Sequence, residues 1–183
     1  MRSRLLRATI DCLVEEGYAG TSTTLICRRA GVSRGAQVHH FPHKQDLLVA
    51  ALEHVFELRR STLRTALATI DPGPARVEEA FLKMWEVVDG GPTEAWLELV
   101  VAARTDAVLR EKVVAATERL RRAGADELAG LGEAAEFPPA AFRLALAVMD
   151  GLVVQSLAGL SGESRSEVLQ FLKELLFHPG EAG

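Results

Sequence analysis

Thr-Thr-Leu-Ile-Cys-Arg-Arg-Ala-Gly-Val-Ser-Arg-Gly-Ala-Gln-Val-His-His-Phe, residues 23–41, reads as two short helices broken by a turn at Gly31. Leu25, Ile26 and Ala30 recur at helical spacing in the first half, and Gly31 can supply the positive φ that ends a helix at little cost. Val32 follows as an apolar wedge between the two helices. Ser33 is placed to N-cap the second helix, so Arg34, Gly35, Ala36 and Gln37 fall in its first turn. In a helix-turn-helix, residues at the start of the second helix meet base edges while the first helix crosses the backbone. Small Gly35 and Ala36 would let the backbone come close. The same three-part pattern occurs in ordinary bundles, so by itself it leaves DNA binding and plain packing both open.

The 183 residues suit one large or two small domains with ample apolar content for a core. A net charge of -4 weighs against a nucleic-acid partner, but it is unevenly spread. Residues 1–60 hold nine Lys or Arg against six Asp or Glu, whereas residues 61–183 hold twelve against nineteen. His39, His40, His43 and His54 also fall in the first part, so a polyanion-facing surface is expected there. Cys12 and Cys27 lie in expected helices with no CxxC spacing, and no leading apolar segment precedes them, as in a reduced cytoplasmic protein. The apolar stretch 140–160 is interrupted by Arg143, Asp150 and Gln155, so a buried helix is expected there and no membrane partner.

Helical periodicity continues along the chain without convincing strand alternation, which predicts an all-α fold of about nine helices. The first spans about 4–16 and stops at Gly17; the fourth runs from Lys44 to about residue 70, where Asp71-Pro-Gly-Pro ends it. A helix of that length reaches about 40 Å and can join an N-terminal module, residues 1–45, to a second domain, residues 46–183. Five more helices are expected: about 77–88, one around Trp96, about 106–128, 142–160 and 166–177.

The string from Ala30 through Gln37-Val38-His39-His40-Phe41-Pro42-His43-Lys44 to Leu48 resembles the recognition-helix region of the tetracycline-repressor-like (TetR) transcription regulators. The order around it agrees: a helix ending at Glu16-Gly17-Tyr18, Thr-rich Thr21-Ser22-Thr23-Thr24, the motif, a long connecting helix and an all-helical remainder. This resemblance implies a three-helix DNA-binding domain, a connecting helix, and a C-terminal domain for ligand binding and dimerisation. It implies a homodimer on palindromic double-stranded DNA, released by a small-molecule effector of largely apolar character. It also places Thr23 and Thr24 at phosphate, turns Arg34, Gly35, Ala36 and Gln37 to the major groove, and sets His39, His40 and Lys44 as phosphate clamps. Gln37 is then expected to bond adenine, and Arg34 guanine or phosphate. Val38 departs from the pattern, because an aromatic, often tyrosine, commonly stands there. The basic arm of some relatives is reduced to Arg2, Arg4 and Arg7, and both departures lower the number of phosphates neutralised.

Other constellations are weaker. His39, His40, His43 and Cys27 are zinc-ligand types, but neighbours such as His39 and His40 point about 100° apart on a helix, so no metal and no cofactor are expected. Met84, Trp85, Trp96, Val100, Phe142 and Met149, with polar Arg104 and Gln155, are candidates for an effector pocket; plain core is the alternative. Ala147, Asp150, Val154, Leu157, Leu169, Leu172 and Leu176 are candidates for a four-helix dimer interface, against closure of a monomeric bundle. No Gly-rich phosphate loop, HExxH or GxSxG is present, so no enzyme is expected. The rival reading is a helical small-molecule-binding or protein-interaction domain whose helix-turn-helix no longer grips DNA.

Overall fold

The computed structural model describes residues 1–70, 78–79, 82–83, 85–86, 91–129, 139–159 and 161–177. Among them run α1 (Arg2–Gly20), α2 (Thr23–Ala30), α3 (Arg34–His40), α4 (Lys44–Leu67), α5 (Gly91–Ala103), α6 (Ala107–Ala129), α7 (Pro139–Leu157) and α8 (Gly162–Phe177). The all-α expectation holds for these residues. Residues 78, 79, 82, 83, 85 and 86 are helical too, within the helix expected over 77–88; its Met84 lies outside the described residues.

Two compact units divide the chain, residues 1–61 with 90–122 and residues 62–89 with 123–183. This differs from the expected division at residue 45, because apolar packing draws α5 and most of α6 into the N-terminal unit. One side of α1, with Leu5, Leu6, Ala8 and Cys12, packs on Ile26, Ala30, Phe41, Leu47 and Ala51. Leu13, two turns beyond Leu6 along the helix, joins Leu48, Leu52, Ala95, Leu99, Leu109 and Val113 in a second cluster. Each fully buried Leu contributes about 1.5–3 kcal/mol of burial free energy, so the helix-turn-helix rests on a substantial core. Burial also pushes the Cys12 thiol above its ordinary value, as desolvation disfavours the thiolate.

Helix α1 passes the expected stop at Gly17 and continues to Gly20 through a local break, with Gly17 at φ 65° and ψ 178°. The break frees the Tyr18 N–H, which donates to Glu98 Oε2 at 2.7 Å. A Cβ on Gly17 would stand 3.0 Å from that same oxygen, so glycine suits both the torsion and the approach.

In the second unit Ala145 and Met149 of α7 meet Leu172 of α8, with Trp85, Val148, Leu176 and Phe177 packed around them. Lys173 and Glu78 pair at 3.1 Å. The expectation of a buried helix over 140–160 is met on one face only, with Phe142, Ala145, Met149, Leu152 and Val153 buried. Only 22% of the window 140–157 is buried, and Leu144, Val154 and Leu157 are 43%, 49% and 60% exposed. Two of the residues expected at a dimer interface, Leu169 and Leu172, are buried inside the protomer.

Candidate nucleic-acid interface

The turn between α2 and α3 is built by local rules. Ser22 Oγ accepts from Leu25 N–H at 3.1 Å and Ser33 Oγ from Ala36 N–H at 3.2 Å, so a serine caps each helix. Gly31 sits in the left-handed region at φ 61°, its N–H donating to Arg28 O, while Val32 N–H donates to Cys27 O. Two further carbonyls at this end are met from afar. Arg4 Nη2 donates to Ala30 O at 2.5 Å and to Gly31 O at 2.6 Å, which sets a cation at the negative end of α2. Arg4, expected as part of a basic arm, is therefore a clamp on the turn. Arg2 lies over the Phe41 ring, 5.5 Å from its centroid.

Along α3, Arg34, Gly35, Val38, His39 and His40 are exposed and Ala36 is half-buried. Gln37 is 1% exposed, and its Nε2 donates to Phe41 O at 2.5 Å. This corrects the expected adenine contact: Gln37 stands one turn before buried Phe41 and so points into the domain. Its Oε1 is buried without a donor among the described residues. Arg34 Nη1 donates to Thr23 Oγ1, joining the start of α2 to the start of α3. With Thr24 exposed beside Thr23, both helices contribute to one polar surface. The rings of His39 and His40 meet edge to face at 5.3 Å.

Lys44 opens α4, where its charge opposes the helix dipole. Its Nζ lies 4.5 Å from the Tyr18 ring centroid and 3.5 Å from Tyr18 O. Burial lowers its pKa from the ordinary value, and the Asp106 charge opposes that shift. The Tyr18 hydroxyl in turn donates to Asp106 Oδ2 at 3.3 Å. Expected at phosphate, Lys44 here has an aromatic face and a carbonyl as partners. Asp46 holds the same end of α4, accepting from His43 N–H at 3.3 Å and from Lys112 Nζ at 2.9 Å.

The residues expected to line a pocket separate by unit. In the first, Trp96 is half-buried and its Nε1 has no acceptor among the described residues, whereas Val100 is 37% exposed and Arg104 lies exposed in the turn after α5. In the second, Phe142 and Met149 are buried, Trp85 packs against the Met149 cluster and Gln155 is exposed. Arg104 and Gln155, expected as inward polar groups, are corrected to surface positions. For Gln155 the reason is helical phase, since α7 buries Met149, Leu152 and Val153 on its other side.

Comparison with known proteins agrees with this geometry. Residues 5–51 match the model of bacterial regulatory proteins of the tetR family, and residues 75–178 match the C-terminal region of BetI-type transcriptional repressors. An HTH-type transcriptional regulator of Mycobacterium bovis is 32% identical over 147 residues, covering 80% of this chain and 75% of its own. The HTH-type regulator BetI of Burkholderia mallei is 30% identical over 165 residues, covering 88% and 83%. Among solved structures, the multidrug binding protein EbrR complexed with imidazole is 27% identical with a TM-score of 0.62, covering 93% of each chain. The family matches fall on both the helix-turn-helix and the C-terminal helices, so the chain belongs to the TetR family of helix-turn-helix transcriptional regulators.

Proposed function

We propose that this regulator is a cytoplasmic repressor that binds a palindromic operator as a homodimer and leaves it when a small-molecule effector binds. The observation that carries the reading is the contact by which Arg34 of α3 reaches Thr23 of α2, with Thr24 and Gly35 exposed next to them in sequence. Hydroxyls and cations there suit phosphate, and the adjoining face of α3 suits base edges. One such surface covers few base pairs; two about 34 Å apart read successive major grooves, which favours a two-fold dimer. A response to effector is supported by the BetI-type C-terminal match and by the ligand carried by the similar EbrR structure. Trp96 adds a buried donor that a ligand acceptor can satisfy. Release then follows from population shift: an effector held better by the DNA-free form draws the dimer off its operator, and operator weakens effector binding by the same factor.

The test is a gel shift with the DNA flanking the protein's own coding sequence at two salt concentrations. A specific complex is expected, losing about 10³-fold or more in affinity between 50 and 200 mM salt if six or more phosphates are contacted. Absence of any specific complex at the lower salt overturns the reading.

A further inference from the structure

The exposed arc of α3 has an unusual centre. At about 100° per residue, Arg34, Val38, Gly35 and His39 follow one another around the helix at about 0°, 40°, 100° and 140°; half-buried Ala36 near 200° separates this run from exposed His40 near 240°, and Gln37 falls near 300° on the buried side. The middle of that uninterrupted run is Val38 and Gly35, flanked by a guanidinium and an imidazole. Val38 is 43% exposed. Beside it, a Cβ built on Gly35 would meet only Ser33 Oγ, at 4.0 Å, so the backbone there is open to close approach. With the Gln37 amide turned inward onto Phe41 O, the centre of the face carries no side-chain hydrogen-bond donor or acceptor.

An apolar side chain at the centre of a groove-facing helix has one chemical counterpart among base edges. The major groove presents donors and acceptors at every base pair, but only thymine adds a methyl group. Resting on the DNA-binding reading above, we propose that Val38 is a specificity-determining residue that packs its methyl groups against the 5-methyl of a thymine in each operator half-site. Gly35 lets the helix sit deep enough for that contact, and Arg34 and His39 bound it with polar contacts on either side. Selection at this base pair therefore comes from apolar burial, in place of the amide contact that Gln37 is not positioned to make.

The experiment replaces single thymines of the operator half-site with deoxyuridine, which removes the methyl and leaves every hydrogen-bonding group. Wild-type protein and Val38→Ala are compared on each duplex by fluorescence anisotropy. At one thymine per half-site, the wild type is expected to lose about four-fold in affinity, the worth of one buried methyl group. Val38→Ala is expected to bind the natural operator more weakly and to show no difference between thymine and uracil at that position, so the two losses are not additive. Circular dichroism checks that the exposed substitution leaves the helices intact. If the wild type binds the operator but is indifferent to uracil everywhere, or if Val38→Ala keeps the full discrimination, the proposal is overturned while the DNA reading stands. If no operator complex forms with any duplex, both fall.

Discussion

Gly35 separates what folding asks of α3 from what DNA asks of it. Its backbone is not in the left-handed region, and an added Cβ meets nothing closer than 4.0 Å, so the protein itself has no need of glycine there. Alanine is the better helix former by up to about 1 kcal/mol, which corresponds to a melting point higher by about 2–4 °C for a chain of this size. On the groove side the same methyl holds the helix away. Gly35→Ala is therefore expected to melt no lower than the wild type yet bind operator about ten-fold more weakly, the cost of a steric misfit of one methyl. Unchanged affinity in a titration would show that α3 does not approach DNA at this residue. The inward turn of Gln37 is hidden by residue type, since amides are common base readers, but spacing carries a signal: it precedes apolar Phe41 by four residues, which puts both on one face. Arg4 carried no such signal. That the carbonyls at the end of α2 need partners follows from helix geometry, but which cation reaches them across 26 residues is a tertiary matter.

At the level of elements, the serine caps and the Gly31 turn were legible because they are local hydrogen-bond chemistry acting over three or four residues. The end of α1 was not, because its continuation past Gly17 uses Glu98, 80 residues away. The start of α4 mixes the two kinds of information. Asp46 reaches back to the His43 N–H as in a capping box, a local device, and also pairs with Lys112 from α6. The hydrogen bond from Lys112 is the largest cause holding the Asp46 carboxyl below its usual value; the His43 N–H and the Lys112 charge act in the same direction, while burial opposes them. A depressed folded-state pKa means that this contribution is present above the unfolded value and is lost as pH falls through the folded one. Asp46→Asn is thus expected to lower the unfolding free energy read from urea titration at pH 7 by a small amount, about 1 kcal/mol or less for so accessible a pair. The gap between variant and wild type should close as pH falls below the ordinary carboxylate range. A gap that persists undiminished at pH 2.5 would place the effect of Asp46 elsewhere than in its charge.

For the whole molecule, helix content was readable from periodicity, but the grouping of helices was not. An amphipathic helix announces an apolar face without saying whether its own chain or a second copy covers it. On α8 that ambiguity sent Leu169 and Leu172 to the expected dimer interface, yet they are buried in the protomer, and Val168, Phe171 and Leu175 are left 40%, 61% and 44% exposed. On α7, Leu144, Val154 and Leu157 are exposed in the same way, with Ala147 between them in the sequence. Two neighbouring helices in one unit with such faces suit pairing with their own copies across a two-fold axis, in four-helix fashion. Phe171 is the most informative residue to change, since at 61% exposure a glutamate there should be tolerated by the isolated protomer and be costly only against an apolar partner. Wild-type protein is expected to sediment as a dimer at micromolar concentration, and Phe171→Glu as a monomer with unchanged helical circular dichroism. Because a palindrome binds two linked half-sites with an advantage of about 10²–10⁴ over one, operator affinity should fall by about that range in the same variant. A wild type that remains monomeric at tens of micromolar, or a Phe171→Glu protein that stays dimeric, would mean that these apolar faces are covered by something other than a second copy.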